Sequence, residues 1–413
     1  MTKTTKSLGA PRATSAPTPA PSQPPRGGSW LWAALVAFLA AIAAVGYVQD
    51  PAQLKETARV LQLLDPRQIG LPGNAGGGVD CRDALEHLTD DGPVNGFHVL
   101  CIQRSPLDTL FITAFKDGML PNRTIESAID TTAFMHAIEN LVEIAPPEDE
   151  LAIKYKQPSA FFTPDGQRLA KKISALADRV VFLFEGGQFI WPGIRVGHKR
   201  TIKDVFGRGD IEMETLNEEI DVILDLSLPH LKPSGVTHND GHENRPATDW
   251  RTSTTYFLPS SAHQVVRDID QRTADLVKVP VSHQEPVQVL RYEETQKYDH
   301  HLDYFSANRH RNSPKLLESI EHGYKNRMIT VFWYMSDVAK GGHTIFPRAG
   351  GLPPPDSMRD CTKGLKVAPK KRKVIVFYSM LATGEGDKLS LHGGCPVEDG
   401  IKYSGNKWVW NKP

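Results

Sequence analysis

The chain predicts an α+β fold. Its C-terminal half reads as a double-stranded β-helix, two antiparallel sheets in jelly-roll form, with buttressing helices. A small, mostly helical module and one N-terminal transmembrane helix are expected ahead of it. Three observations lead there. Alternating strands recur from residue 288 to residue 410. Residues 125–143 place Ile125, Ile129, Met135, Ile138, Leu141 and Val142 at helical spacing, and residues 167–184 repeat the pattern. Residues 30–48, WLWAALVAFLAAIAAVGYV, carry no charge.

From the N-terminus, residues 1–29 are rich in Pro, Ser, Thr and Ala and predict a disordered tail, because such a segment buries no core. At about 1.5 Å per residue, a helix over 30–48 nearly matches a hydrocarbon layer of about 30 Å. Lys3, Lys6, Arg12 and Arg26 precede this span, and Asp50 and Glu56 follow it. The positive-inside rule then leaves the tail cytosolic and the bulk of the chain luminal, as a single-pass type II signal anchor. A cleaved signal peptide is the alternative reading. The expected membrane is that of the endoplasmic reticulum or Golgi.

Residues 49–78 form the expected stem and linker, amphipathic over 51–64 and flexible from Gly70 to Gly78. Residues 79–205 read as a small α+β module, with Pro146-Pro147 separating its two helical stretches and no recognisable chemistry. Asn122-Arg123-Thr124 is a glycosylation sequon, accessible only on a luminal chain. His230, His238 and His242 cluster in a loop-like stretch and read as solvated. The 413 residues allow two or three domains, and 48 basic against 48 acidic residues leave no nucleic-acid footprint. Lys370-Lys371-Arg372-Lys373 reads as a hairpin turn rather than a nuclear signal.

The chemistry lies in residues 213–413. Residues 288–305, QVLRYEETQKYDHHLDYF, read as a strand, on which His301 and Asp303 share a face while His300 looks away. His392 would arrive from a distant strand within 389–396. Two imidazoles and one carboxylate on one side of a metal leave the opposite positions open, the arrangement of non-heme Fe(II) oxygenases. Lys402, on the next strand of a hairpin after His392, and Tyr292 add a cation and a phenol. Those groups suit a dicarboxylate whose 2-oxo acid end chelates the metal while its far carboxylate pairs with Lys402.

Residues 249–413 resemble the catalytic domain of the prolyl 4-hydroxylases, dioxygenases that use Fe(II) and 2-oxoglutarate. The resemblance rests on blocks in family order: Arg251-Thr252-Ser253, the helix 264–280 ending in Pro280, and the strand 288–305. It continues through 326–337, NRMITVFWYMSD, and Gly341-Gly342-His343-Thr344-Ile345-Phe346-Pro347. Residues 361–378 and 389–410 complete it. It implies that His301, Asp303 and His392 hold Fe(II). It also implies that Lys402, helped by Tyr292 and Thr344, binds the cosubstrate carboxylate, and that Arg327 and Trp408 line a peptide groove. O2 as second cosubstrate, ascorbate as reductant and a proline-rich peptide as substrate follow from the same resemblance. The implied product is 4-hydroxyproline, with succinate and CO2 released.

Three departures stand out. His343 replaces the family's Glu, Tyr403 replaces its Trp, and residues 213–226 pass almost directly into a helix, which leaves one sheet edge short. Two helices, at 218–227 and 264–277, would buttress one sheet. Cys361 and Cys395 fall inside family blocks, and Cys81 and Cys101 lie upstream. Four cysteines permit three connectivities; in an oxidising compartment, Cys81–Cys101 with Cys361–Cys395 is the simplest. A related oxygenase acting on another residue such as lysine stays open, as does an inactive membrane-anchored scaffold. A cupin-type metal isomerase would have no use for Lys402. No oligomeric partner is indicated.

Overall fold

The computed structural model describes residues 79–192, apart from 90, 91, 106 and 108, and residues 217–413. The tail, the apolar span at 30–48, the stem and the stretch 193–216 lie outside the described residues. Among the described residues no helix is long and apolar enough to cross a membrane.

The module expected to be mostly helical is built on a six-stranded antiparallel sheet, ordered β3-β2-β1-β6-β4-β5. Its strands are β1 (Phe97–Arg104), β2 (Thr109–Phe115), β3 (Arg123–Ala128), β4 (Ala160–Phe162), β5 (Arg168–Leu169) and β6 (Arg179–Phe184). The helical reading of 167–184 holds only for the single turn Ile173–Leu176; it fails over β6, where RVVFLF is a β-branched and aromatic run buried on both faces and helical and sheet periodicity cannot be told apart. In 125–143 the helix starts only at Thr131. Helix α1 (Thr131–Val142) is capped by the Asp130 carboxylate, which accepts from Ala133 N at 2.8 Å. Its Phe134, Ile138 and Leu141 cover one sheet face through Leu100, Ile112 and Leu183. The opposite face, carrying Phe97, Val99, Phe182 and Phe184, belongs to the same continuous core as the jelly roll. Cys81–Cys101 ties the segment before the sheet to β1.

The jelly roll pairs a six-stranded sheet, β15-β11-β18-β9-β8-β7, with a four-stranded sheet, β10-β16-β13-β14. The larger holds β7 (Lys232–Pro233), β8 (Thr254–Leu258), β9 (Val287–Tyr292), β11 (Arg327–Tyr334), β15 (Val374–Tyr378) and β18 (Lys402–Trp410). The smaller holds β10 (Tyr298–His301), β13 (Thr344–Phe346), β14 (Leu365–Val367) and β16 (His392–Gly394). A separate ribbon joins β12 (Lys340–Gly341) to β17 (Val397–Asp399). Helices α2 (Asn217–Ser227) and α3 (Gln264–Val277) back the larger sheet: Ile220, Ile223, Val266 and Ile269 share a core with Val287, Val289, Val331 and Val409. The edge that looked short in sequence ends in β7, a two-residue strand on β8. The basic run is a turn, with Lys373 N donating to Lys370 O at 2.9 Å.

The stretch 288–305 is two strands rather than one. Gln296 N donates to Glu293 O, the Gln296 side chain accepts from Glu293 N, and Thr295 takes a positive φ of 68°. This polar turn carries the chain from the larger sheet to the smaller. Lys402 is likewise not on a hairpin with His392. β17 intervenes, and β18 runs in the larger sheet, pairing with β9 and β11.

On the helix-facing side of β18, Lys407 is ion-paired with Asp270 of α3, and both side chains are almost fully buried. Removing one partner strands a charge in an apolar layer. Asp270→Ala is expected to cost about 3–5 kcal/mol, read as a lower urea midpoint with an unchanged slope.

Candidate active site

The two histidines come together because β10 and β16 are neighbours, with His301 directly opposite His392. Gly393 allows the close approach. A Cβ there would lie 2.5 Å from His300 Cδ2 and 3.0 Å from Tyr298 O. Asp303 sits just past the end of β10, in a bend rather than on the strand. One ligand atom from each of His301, Asp303 and His392 lies within 4.8 Å of the others, the one such group of three among the described residues.

The donors are prepared for a cation. His301 Nδ1 donates to Asp299 O and His392 Nδ1 to Ser390 O, each at 2.9 Å. That fixes the tautomer and leaves both Nε2 lone pairs toward Asp303. Each Nε2 stands 3.6 Å from an oxygen of that carboxylate, Oδ1 for His301 and Oδ2 for His392, beyond hydrogen-bond reach. Burial pushes the His392 imidazole down to about 4, so it is neutral at physiological pH. Burial opposes ionisation of Asp303, and charged neighbours, the Arg327 guanidinium among them, pull the carboxyl below its usual range. An ionised carboxylate facing two imidazole lone pairs fits a divalent transition metal.

Thr330 of β11 was not among the residues singled out from sequence. Its hydroxyl donates to Asp303 Oδ2 at 2.6 Å from the larger sheet. The available signal was a polar residue inside the apolar run MITVFWY. Thr330→Val keeps the shape and removes the hydrogen bond. Metal affinity is expected to fall about 10–100-fold, measured by Mn(II) titration, with little change in melting temperature. Tyr298 was also missed; its ring stacks on His301 with centroids 3.7 Å apart, and Arg251 lies 4.5 Å from its centroid on a cation–π contact.

Beside the metal ligands opens a narrow cleft lined by Tyr292, His301, Thr344, Phe377, His392 and Lys402 among others. Lys402 lies directly across from Tyr292 on the paired strands. It is 2 % exposed. The Tyr292, Phe332 and Tyr334 ring centroids lie 5.4, 5.4 and 5.5 Å from its Nζ. No carboxylate among the described residues pairs with it, and burial alone pulls its pKa down to about 7. A buried cation without a counter-ion fits an anionic ligand group. Thr344 is buried, and its Oγ1 accepts from Tyr334 Oη at 2.7 Å.

Arg327 and Trp408 sit beside this cleft rather than in its lining. Trp408 is the cross-strand partner of Thr330 and is 5 % exposed. The Arg327 guanidinium lies 3.5 Å from the Trp408 centroid and grips Glu285 through Nε at 2.6 Å and Nη2 at 2.9 Å. His343 stays outside the three-ligand group. His230 packs against Tyr256, and His238 and His242 turn edges to Trp250, so these loop histidines serve as aromatic partners. Cys361–Cys395 is formed, close to His392 in the chain. Asn122 is half-buried just ahead of the edge strand β3.

Residues 287–410 match the 2OG-Fe(II) oxygenase superfamily. "Probable prolyl 4-hydroxylase 3" of Arabidopsis thaliana is 36% identical over 200 residues, covering 46% of this chain and 65% of that protein. Prolyl 4-hydroxylase 2 of the same plant is 36% identical over 198 residues, covering 46% and 62%. The chain thus spans less than two thirds of the length of these relatives. The viral collagen prolyl hydroxylase of Paramecium bursaria Chlorella virus-1, solved with 2OG, aligns at 24% identity and TM-score 0.33, over 48% of this chain and 91% of that one.

Proposed function

We propose that this chain, in which residues 287–410 form a 2OG-Fe(II) oxygenase domain related to the prolyl 4-hydroxylases, hydroxylates peptidyl proline to 4-hydroxyproline. The observation that carries the reading is the pairing, in one cleft, of the three-ligand group with the buried, unpaired Lys402. His301, Asp303 and His392 would hold Fe(II). Lys402, Tyr292 and Thr344 would receive the far carboxylate of 2-oxoglutarate. When bound, the metal and cosubstrate supply O2 activation coupled to decarboxylation to succinate and CO2.

The residues of the chain do the rest. Lys402 neutralises the carboxylate in a dry setting, where a charge-assisted hydrogen bond is strong. Asp299 O and Ser390 O hold each imidazole by its Nδ1–H, with Nε2 turned toward Asp303. Phe377, Phe332 and Leu290 exclude water from the cleft. Phe257, half-exposed and packed near the buried Trp408 beneath Arg327, offers an aromatic surface for a polyproline II segment. A location on the luminal side of the secretory pathway, anchored through residues 30–48, is part of the proposal. The two cystine bridges support an oxidising compartment. Ascorbate as reductant and glycosylation at Asn122 belong to the same reading.

The test is mass spectrometry of proline-rich peptides incubated with the full chain, Fe(II), 2-oxoglutarate and ascorbate, with His392→Ala alongside. One oxygen added to proline, absent in the variant, is expected. Oxygen on lysine, or succinate without proline hydroxylation, would replace proline with another target.

A further inference from the structure

The loop between β15 and β16, residues 379–391, leads straight to His392. Its tip is held by the N-terminal module. Gly186, just past β6, donates its N–H to Ala382 O at 2.7 Å. The packing there is backbone against backbone. A Cβ on Gly186 would lie 2.5 Å from Gly384 N, 2.7 Å from Gly384 Cα and 3.0 Å from Ala382 O. Gly96, just before β1, meets the same tip: a Cβ there would lie 2.7 Å from Thr383 N. Glu185 N donates to Gly96 O at 2.9 Å, so the two contact points are themselves joined.

From that tip, two short paths run to the metal ligands. Along the chain, Leu381 N donates to Glu385 O at 2.7 Å and Asp387 N to Ser379 O at 2.8 Å, closing the loop. Ser390 is tied back by its hydroxyl to Asp387 O at 2.6 Å, and its own carbonyl accepts from His392 Nδ1. Across space, Gly386 lies flat on Tyr304, where a Cβ would approach ring atom Cε2 to 2.3 Å. Tyr304 is the residue after Asp303. Both paths run through hydrogen bonds and contacts without slack.

We infer that residues 79–192 are a brace for the metal centre: through Gly96 and Gly186 they position the 379–391 loop, and with it His392 and Asp303. The inference rests on the three-ligand metal reading but not on any particular substrate. It assigns Gly186 as a positioning residue and makes the module a working part of the catalytic unit.

The test uses the full chain with Mn(II) alone as probe, free metal being counted by electron paramagnetic resonance. Gly186→Ala is expected to weaken Mn(II) binding about tenfold, the low end of what displaced supporting groups cost a metal site. Leu100→Ala, on the far face of the module sheet beneath α1, destabilises the module without touching the loop and is expected to leave Mn(II) affinity unchanged in the folded protein. Should Gly186→Ala fail to fold, Gly384→Ala takes its place; its Cβ would press on Gly186 Cα from 3.2 Å. Unchanged affinity in a folded glycine variant overturns the inference, as does an equal loss in Leu100→Ala. Because Mn(II) binding is read without turnover, failure of proline hydroxylation leaves this test intact. If Mn(II) fails to bind the parent chain as well, it is the metal reading that falls, and the brace with it.

Discussion

Asp303→Ala is expected to abolish hydroxylation, lowering turnover by about 10³-fold or more, and to remove tight Mn(II) binding. Asp303 is the one carboxylate of the three-ligand group, so its loss leaves two imidazoles and no anion for the metal. At about 1.36 kcal/mol per factor of ten, a 10³-fold loss corresponds to about 4 kcal/mol of lost transition-state stabilisation. The variant should stay folded. Without the metal, the carboxylate faces two lone pairs, and among the described residues only the Thr330 hydroxyl donates to it at hydrogen-bond distance. Circular dichroism identical to the parent, with Mn(II) affinity lost, is the expected pair of readings. Retained turnover would place the metal elsewhere.

Lys402→Met is expected to raise KM for 2-oxoglutarate about 100-fold, with a smaller change in kcat. The substitution conserves volume in an aromatic cage and deletes only the charge. A charge-assisted hydrogen bond in a buried site contributes about 1.5–3 kcal/mol, a factor of about 10–150. A pH dependence follows for the parent chain. Burial lowers the ligand-free Lys402 pKa to about 7, whereas the bound carboxylate favours the charged form. Above pH 7 the free protein must take up a proton to bind, so affinity for 2-oxoglutarate should fall roughly tenfold per pH unit and level off below 7. For folding, the sign is opposite. The unfolded lysine keeps its proton up to about 10.4, so the ligand-free chain gains stability between pH 7 and that value. Calorimetric titration from pH 6 to 9 checks the first statement; a flat affinity would show that Lys402 does not meet the cosubstrate.

The metal-binding types were legible in the sequence because ligand chemistry allows few residues, and the spacing of His301 and Asp303 suggested a shared face. The reason given for that face was incomplete. β10 ends at His301 and Asp303 reaches the site from a bend, which strand parity cannot foresee. Tyr298 stayed hidden for a related reason. Three residues apart on a regular strand, it and His301 would look opposite ways, but the register shift between them turns the two rings face to face. Thr330 depends on which strands become neighbours, a property of topology rather than of local pattern. In the module, β6 was misread because a strand buried on both sides shows no alternation. Arg327 was read as a groove residue; its double grip on Glu285 across 42 residues could not be seen in sequence.

The polar turn at residues 293–297 has a consequence for the choice of cosubstrate. By passing the chain from one sheet to the other, it leaves His301 and His392 on the smaller sheet and Tyr292 and Lys402 on the larger. The two ends of a bound diacid would then be gripped by opposite walls, and the gap between the walls would act as a ruler. A shorter or longer oxo diacid is expected to bind more weakly. Selectivity for chain length then resides in the packing between the sheets rather than in any one contact, and substitutions that thicken that core should shift it without touching a ligand.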